Sequence, residues 1–331
     1  MICCYNSEST IGIVLARLAL QEATGGFDWE VIVVDNASRD RTAEVARGAW
    51  TRGEIPFRVV YEGEPGLSNA RRKGLAEAVH PVIVFVDDDN LLDKGYLSLA
   101  HRIMTEHPDV GLAGGLGIPV APVELPWWFE ENKAAYAVGP QAAEAGYAPD
   151  SRTYLHGAGL VMRKEGWEWL ISRGFGFILS GRKGQALTSG EDMELTYAFR
   201  FAGYRLWYDP GLQYEHIIPE NRLRWDYLVK LAGEFGKSAV VLDLYQVRHR
   251  KFRGWDLLKV ECWILGMAVT IYNLLKIFPR YLILRARYRE GDPTEFGFRY
   301  LCGFFQHKLK LAGKYRGIRK EIDGLRAKIS R

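Results

Sequence analysis

Three consecutive carboxylates, Asp87, Asp88 and Asp89, directly follow the apolar run 82–86, which is typical of a buried strand. Adjacent carboxylates repel one another, and a divalent cation such as Mg²⁺ or Mn²⁺ would relieve that repulsion. Mg²⁺ is usually held by one or two carboxylates together with the phosphates of a substrate. A solvated acidic turn that caps the next helix is the alternative, and composition alone favours neither interpretation.

Three further positions carry groups that could do chemistry. Asp35 ends a second apolar run and could accept hydrogen bonds from a base or ribose, although Asp is also common in strand-to-helix turns. Glu191 and Asp192 open a predicted helix, where the helix dipole favours acidic residues, and either could also deprotonate a hydroxyl as a general base. His216 is either structural or a further metal ligand.

The elements that must position these groups alternate along the first half of the chain. We predict strands over 1–4, 30–35, 58–61 and 82–86, and helices over 10–22, 41–50, 67–79 and 95–106. This order predicts an α/β fold with a mixed, mostly parallel sheet and flanking helices. Ligands bind beyond the carboxyl ends of the strands in such sheets, where Asp35 and Asp87 are expected.

The middle of the chain is less regular. Residues 114–190 are rich in Gly, Pro and Trp, which predicts loops and short strands around a cleft. A helix is predicted again over 191–202, and residues 189–192 match a capping box.

The C-terminal third differs in charge and hydropathy. Residues 276–331 carry 15 Lys/Arg and 5 Asp/Glu, a net charge of +10, whereas the rest of the chain has a net charge of −6. Residues 255–284 are apolar on nearly every helical face, so they are lipid-facing, packed on the body or part of a homodimer interface. A basic stretch follows, and its apolar stripe predicts a helix in the membrane interface. The stripe consists of Ile318, Ile322, Leu325 and Ile329.

Several classes of protein are excluded by composition. Hydrophobic residues make up 48% and charged residues 25% of the 331 residues, which predicts a folded protein. The four cysteines form no CxxC pair, so we expect a reducing compartment, and we recognise no signal peptide. The longest uncharged apolar run, 262–275, is shorter than the roughly 20 residues of a spanning helix, so we do not expect a single-pass anchor. No nucleic-acid-binding motif is visible, and no nucleic-acid partner is expected.

Six motifs, taken in order, resemble those of a family 2 glycosyltransferase with the GT-A fold. They are Cys-Cys-Tyr-Asn-Ser at 3–7, Val-Ile-Val-Val-Asp-Asn-Ala-Ser at 31–38, Gly-Leu-Ser-Asn-Ala-Arg at 66–71, Phe-Val-Asp-Asp-Asp at 85–89, His-Gly-Ala-Gly at 156–159 and Gly-Glu-Asp-Met-Glu-Leu at 190–195. The resemblance implies a GT-A catalytic domain over 1–225, with a nucleotide-binding half at about 1–113 and an acceptor half at about 114–225. A helical, amphipathic, basic and membrane-associated region over 226–331 would follow.

The resemblance also implies roles for single residues. Those implied to bind the donor nucleotide are Asn6, Asp35, Asn36, Arg71, Asp87 and Asp88. The metal, Mg²⁺ or Mn²⁺, would be held by Asp87 and Asp89, with His216 as a further candidate ligand. The residues implied to line the donor sugar and acceptor are Gly157, Ala158, Gly159, Arg224 and Trp225. Asp192 would be the general base, with Glu191 beside it. Residues 221–225 resemble the QxxRW motif of processive synthases, but the Gln is absent, which argues against a polymerising enzyme.

The function that these features imply is an inverting, metal-dependent hexosyltransferase. It would move a sugar from a nucleotide diphosphate sugar, with a UDP-sugar favoured, to a glycan or lipid-linked glycan in cell-surface polysaccharide synthesis. We expect it at the cytoplasmic face of a bacterial or archaeal membrane, peripheral or monotopic. The alternative is a non-catalytic binding protein with a degenerate GT-A body and a basic tail, against which the intact carboxylates argue.

Overall fold

The fold was analysed in a computed structural model that describes residues 1–149, 154–179, 181, 189–250, 258, 262–287 and 290–329. The strands are β1 (Ile2–Cys4), β2 (Val31–Asp35), β3 (Phe57–Tyr61), β4 (Val82–Val84), β5 (Val86–Asp87), β6 (Asn90–Leu92), β7 (Val110–Val120), β8 (Gly146–Tyr147), β9 (Val161–Arg163) and β10 (Arg205–Ile217). The helices are α1 (Ile11–Leu18), α2 (Thr42–Ala49), α3 (Leu67–Glu77), α4 (Tyr96–Glu106), α5 (Phe129–Asn132), α6 (Lys164–Ser172), α7 (Glu191–Phe201), α8 (Trp225–Arg250), α9 (Trp263–Arg287), α10 (Pro293–Lys310) and α11 (Tyr315–Ile329).

The first half of the chain has the predicted alternation of strands and helices. Strands β3, β2, β1 and β5 lie side by side in that order and are all parallel. All five residues of β2 are buried, as expected of a central strand covered on both faces. The carboxyl ends of β1, β2 and β5 therefore lie at one edge of this sheet.

A second, mixed sheet continues from the first. Its strand order is β4, β9, β7, β10 and β6, with β8 paired to β10, and only the β7–β10 pair is parallel. The chain passes between the sheets at Phe85, since Met1 bonds to both Val84 and Val86 while Phe85 bonds to Leu160. The last residues of β5 and the first of β6 thus flank Asp88 and Asp89.

Two sequence predictions for the middle of the chain differ from the structure. The irregular segment expected from Gly114 onward begins with the last seven residues of the long strand β7, Gly114 to Val120. Its glycines hide the strand pattern, and they are required by packing, because a Cβ at Gly115 would overlap the carbonyl oxygen of Leu212 on β10. At the start of α7 the N-cap is Gly190, which has no side chain to complete the predicted capping box.

The C-terminal helices separate into a packed group and an exposed helix. Helices α8 and α10 approach so closely that a Cβ at Gly303 would overlap the backbone of Gly233. Helix α11 buries Ile322, Leu325 and Ile329 in the same core as α7 and α8, so the stripe predicted to enter a membrane interface instead packs on the body. The physical reason is that an amphipathic face buries equally well against protein or lipid, and the pattern cannot distinguish them.

Helix α9 is the exposed one. Residues 255–257 and 259–261 of the predicted apolar helix lie outside the described residues, and α9 covers its part from Trp263 onward. Within the described part of the chain, α9 alone is long and apolar enough to cross a membrane by length and composition. The sequence argues against a single-pass anchor because the uncharged apolar run ends before Lys276. Helix α9 nevertheless continues through Lys276.

Candidate functional site

A cavity of about 1030 Å³ opens at the carboxyl ends of β1, β2 and β5. Its walls also include the N-terminus of α7, the loop 156–158 and the segment 131–137. Of the predicted site residues, those that line it are Asn6, Asn36, Arg71, Asp87, Asp88, Asp89, Gly157, Ala158, Glu191, Asp192 and His216. Residues as far as 210 positions apart in the chain, Asn6 and His216, therefore meet in one cleft, as is usual for a binding site in an open α/β sheet.

The three aspartates face different surroundings. Asp88 turns back toward β1, where the Ser7 hydroxyl donates a short hydrogen bond to its carboxylate. Burial raises the pKa of Asp88 to about 7, and the nearby Asp89 adds to the effect. Asp89 instead receives a hydrogen bond of 3.0 Å from Arg222, which lies 133 residues further along the chain. All three aspartates line the cavity.

His216 is oriented toward Asp89. Its Nδ1 lies 2.7 Å from the carbonyl oxygen of Tyr136, and since a carbonyl can only accept, Nδ1 carries the proton. Its Nε2 then faces the Asp89 carboxylate at 3.4 Å. Burial lowers the pKa of His216, but the attraction of Asp89 outweighs burial and holds that pKa above its ordinary value.

This donor set fits a divalent cation that shares its coordination with a substrate. Carboxylate oxygens and a histidine nitrogen whose other nitrogen is fixed by a carbonyl are suitable ligands for Mn²⁺ and related ions. Among the described residues, no three His, Cys, Asp or Glu side chains form a group that could hold a metal. Asp89 and His216, with Asp87 nearby, would therefore need phosphate oxygens to complete the coordination.

The N-terminus of α7 presents the second acidic pair. The Asp192 carboxylate accepts hydrogen bonds from the backbone N–H groups of Gly157, at 3.0 Å, and of Met193, at 2.9 Å. Asp192 lines the cavity. Glu191 is buried behind it and lies 3.6 Å from the buried guanidinium of Arg71, so Glu191 is part of an internal ion pair. Asp192 is the better placed of the two to meet a substrate.

Two residues predicted to bind the nucleotide have structural partners. The Asp35 carboxylate is buried, accepts a hydrogen bond from the Ser38 N–H and is not among the cavity-lining residues. Asn36 lines the cavity but also donates to the carbonyls of Glu62 and Glu64 and accepts from the Gly66 N–H. These bonds fix the turn after β2 against the loop that precedes α3.

Three residues predicted to contact the donor sugar and acceptor lie elsewhere. Gly159 is not in the cavity wall: its carbonyl accepts from the Tyr96 hydroxyl, and a Cβ there would meet the Tyr96 and Tyr214 rings. Arg224 is exposed and pairs with Asp226, and Trp225 is buried and donates to Glu295. Arg222, two positions earlier, reaches the cavity instead, because the 3-10 turn over Glu220–Arg222 directs it toward Asp89.

A further wall of the cavity, which no sequence motif predicts, comes from the C-terminal helices. Its members are Tyr227, Leu231, Phe235, Ser238, Ala239, Leu242, Asp243, Gln246, Phe296 and Tyr300. No motif marks these residues, and their helical spacing on α8 is equally typical of a core-facing helix. The predicted boundary at 225/226 therefore separates two parts of one cavity.

Comparison with known proteins places the chain in a family. The family model described as glycosyl transferase family 2 matches residues 1–166, half of the chain. The putative glycosyltransferase EpsH of Bacillus subtilis is 26% identical over 110 residues, which is 33% of this chain and 31% of EpsH. The poly(ribitol-phosphate) beta-N-acetylglucosaminyltransferase TarS of Staphylococcus aureus is 30% identical over 121 residues, which is 35% of this chain and 21% of TarS. The alignments thus span less than a third of these relatives.

Solved structures share the fold over nearly the whole chain. A mannosyltransferase from Pyrobaculum calidifontis, solved with GDP-Man and Mn²⁺, superposes with a TM-score of 0.56 at 19% identity, covering 99% of this chain and 84% of the other. TarS residues 1–349, solved with UDP-GlcNAc, give a TM-score of 0.52 at 18% identity, covering 99% and 89%. These likenesses confirm the α/β GT-A-like fold. The match of the family model to half of the chain shows that this chain belongs to glycosyl transferase family 2.

Proposed function

We propose that this protein is a glycosyltransferase that moves a sugar from a nucleotide diphosphate sugar to a hydroxyl of a glycan or lipid-linked glycan. The observation that carries the proposal is the convergence of Asp87, Asp89 and Asp192 on one cavity at the strand ends. A UDP-sugar is the donor that we favour, because TarS, a relative in sequence, has been solved with UDP-GlcNAc. Cell-surface polysaccharide synthesis is the setting that we infer.

The metal in this proposal is Mg²⁺ or Mn²⁺, held by Asp89 and His216 with Asp87 nearby. When bound, it would supply positive charge to the diphosphate of the donor and so favour departure of the nucleoside diphosphate. The buried guanidinium of Arg71, in the same wall, adds a fixed positive charge. Asp88, which bonds to Ser7, orients the loop that carries its two neighbours.

The chemical step that we propose is a single displacement with inversion. The acceptor hydroxyl oxygen attacks the anomeric carbon and forms the new glycosidic bond, while the bond from that carbon to the diphosphate oxygen breaks. The nucleoside diphosphate leaves with the electron pair, and the hydroxyl proton goes to the carboxylate of Asp192. The N–H groups of Gly157 and Met193 hold the Asp192 carboxylate in place. We therefore propose that Asp192 acts as a base because of its fixed position.

The test is nucleotide release from a panel of UDP- and GDP-sugars with Mg²⁺, with Mn²⁺ and with a chelator. We expect metal-dependent turnover that falls at least 100-fold in Asp192→Asn and in Asp89→Asn, since a positioned general base contributes about 10²–10⁴-fold. Asp28→Asn is the matched control, because Asp28 is exposed and does not line the cavity. Full turnover in both site variants would refute the assignment of the site.

We further propose that the protein works as a peripheral or monotopic protein at the cytoplasmic face of a bacterial or archaeal membrane, through α9. Ile264, Leu275 and Ile283 on this helix are 73%, 67% and 62% exposed, although large apolar side chains are normally covered. The helix also carries Lys276, and Arg285 and Arg287 lie in its last turn, so its charge complements anionic lipid headgroups.

The membrane proposal is tested by co-sedimentation with vesicles of phosphatidylglycerol and phosphatidylcholine. We expect binding that weakens with salt and is lost in the double variant Ile264→Glu, Leu275→Glu. Ile13→Glu is the matched control, because Ile13 is similarly exposed at 53% but lies on α1 in the body. A wild-type protein that forms a homodimer and ignores the vesicles would contradict the proposal.

A further inference from the structure

A half-buried carboxylate outside the family motifs lines the cavity. Asp243 lies in the middle of α8, within the wall formed by the C-terminal helices. Burial raises its pKa to about 6, and the attraction of Lys308 only partly opposes this effect. Among the described residues, none donates a hydrogen bond to this carboxylate or forms an ion pair with it. The carboxylate is half-buried in the cavity wall, so a ligand that covers it must supply hydrogen-bond donors.

The residues around Asp243 form one continuous surface. The cavity-lining residues of α8 are spaced by three, four or one positions between 227 and 246, so they occupy a single helical face. Phe296 and Tyr300 face them from α10, four residues apart and therefore also on one face. The close glycine contacts between α8 and α10 hold the two faces at a constant separation. We call this part of the cavity the α8–α10 wing.

The α8–α10 wing adjoins the residue that we propose as general base. The Ser238 hydroxyl donates to the carbonyl of Ser189 at 2.6 Å, and both Ser238 and Leu242 pack against Gly190. Gly190 immediately precedes Glu191 and Asp192 at the N-terminus of α7. Asp243 follows Ser238 by five residues, which corresponds to about 7.5 Å along the helix axis. A ligand bound in the wing would therefore extend from Asp192 along α8.

From these observations we propose that the α8–α10 wing binds the acceptor, that the acceptor is a saccharide, and that Asp243 accepts hydrogen bonds from its hydroxyl groups. This inference rests on the proposed function, and it assigns the acceptor class and specificity residues of the same site. Gln246, one helical turn from Asp243, offers both a donor and an acceptor to further hydroxyls. Tyr227, Phe235, Phe296 and Tyr300 offer aromatic surfaces for the C–H faces of a sugar ring.

A saccharide satisfies this wing better than an alkyl chain does. An alkyl chain against Asp243 would leave the carboxylate buried without a donor, at a cost of about 1–3 kcal/mol or more. A sugar supplies hydroxyl donors to the carboxylate and an apolar face to the aromatic rings. Ligand pockets in proteins are generally lined by apolar and aromatic side chains, with a few polar groups that orient the ligand.

The experiment measures transfer from the sugar nucleotide that the enzyme hydrolyses most rapidly. The acceptors are p-nitrophenyl glycosides of glucose, galactose, mannose and N-acetylglucosamine, their disaccharide counterparts, and farnesol as a sugar-free alcohol. Products are identified by mass spectrometry, and saccharide binding to the wild type and to Asp243→Asn is followed separately by saturation-transfer NMR. Glu234→Gln is the matched control, because Glu234 lies on the same helix, pairs with Lys237 and does not line the cavity.

We expect transfer to at least one saccharide, and an acceptor KM that rises about 10- to 100-fold in Asp243→Asn, as for loss of a hydrogen bond to a charged group. The donor KM should change far less, and the Tm should not fall, because Asn has nearly the same shape as Asp and the replaced carboxylate accepts no hydrogen bond from the described residues. A lower Tm with both KM values raised would indicate a merely structural residue and overturn the inference. Transfer to farnesol alone, or an unchanged acceptor KM, would also overturn it. The proposed function would be refuted if the wild type released no nucleotide from any donor. If NMR nevertheless detected saccharide binding that is lost in Asp243→Asn, the assignment of the saccharide site would still hold.

Discussion

Glu194 makes the stability of this protein dependent on pH in a way that one substitution should remove. Its side chain is fully buried on α7, two residues after Asp192. The carboxylate accepts hydrogen bonds from the N–H groups of Ile178 and Leu179, both at 2.9 Å, and from the Tyr245 hydroxyl at 3.0 Å. It thereby ties the segment before α7 to both α7 and α8.

The magnitude follows from the raised pKa. Burial raises the pKa of Glu194 from 4.5 to about 7, although its three hydrogen bonds oppose the change. The difference between a pKa of 4.5 and one of about 7 corresponds to about 3 kcal/mol of differential interaction between the two protonation states. Because the folded protein binds this proton more tightly than the unfolded chain, the stabilisation is fully present below pH 4.5 and is lost as the pH rises through about 7.

Urea denaturation between pH 4.5 and pH 8 measures the effect. The free energy of unfolding of the wild type should fall across this range by about 3 kcal/mol more than that of Glu194→Gln, whose side chain does not titrate. Glu168→Gln is the control, because the side chain of Glu168 is 60% exposed in a surface pair with Lys164. Its curve should run parallel to that of the wild type. If the Glu194→Gln curve also ran parallel to the wild type, burial would not raise this pKa and the reasoning would be wrong.

Two further predictions concern packing and buried charge. Gly303→Ala should lower the free energy of unfolding by about 1–3 kcal/mol or more, because its Cβ would overlap the backbone of α8. Gly297→Ala on the same helix is the control. Its Cβ meets only a side-chain methyl at 3.4 Å, so this variant should be neutral or stabilising by up to about 1 kcal/mol. Equal effects of the two alanines in urea denaturation would contradict the close approach of the helices. Arg71→Ala should lower the free energy of unfolding by about 3–5 kcal/mol, because it leaves Glu191 as a buried charge without its cation. Arg72→Ala removes an exposed side chain and should lower it by less than about 1 kcal/mol. Adding Glu191→Gln to Arg71→Ala should recover part of the loss, and no recovery would show that the pair is not coupled.

Local sequence pattern was sufficient for the first half of the fold. The apolar runs over 30–35 and 82–86 predict buried strands, and β2, β4 and β5 lie there. Their carboxyl ends could be predicted because strand order and chain direction follow from the alternation of strands and helices. For the same reason the acidic residues after those strands could be assigned to one edge of the sheet before any contact was known.

Pairings between distant segments could not be predicted. The glycine-rich strand β7 has no alternating pattern, since its side chains are absent where β10 and the neighbouring loops approach closely. The link from Arg222 to Asp89 joins residues on separate elements, and the family resemblance implied Arg224 and Trp225 instead. Such contacts depend on turn geometry that the sequence does not express at short range.

The sequence by itself determined the α/β architecture and the acidic groups at its strand ends, because periodicity and turn residues act within a few positions. Only the tertiary structure decided which amphipathic helices cover the protein and which remain exposed. Helix α11 buries its stripe, α9 leaves Leu275 uncovered, and α8 presents Asp243 to the cavity. A helix carries the same pattern whether its apolar face meets a core, a cavity or a lipid surface, so its partner is set by packing alone.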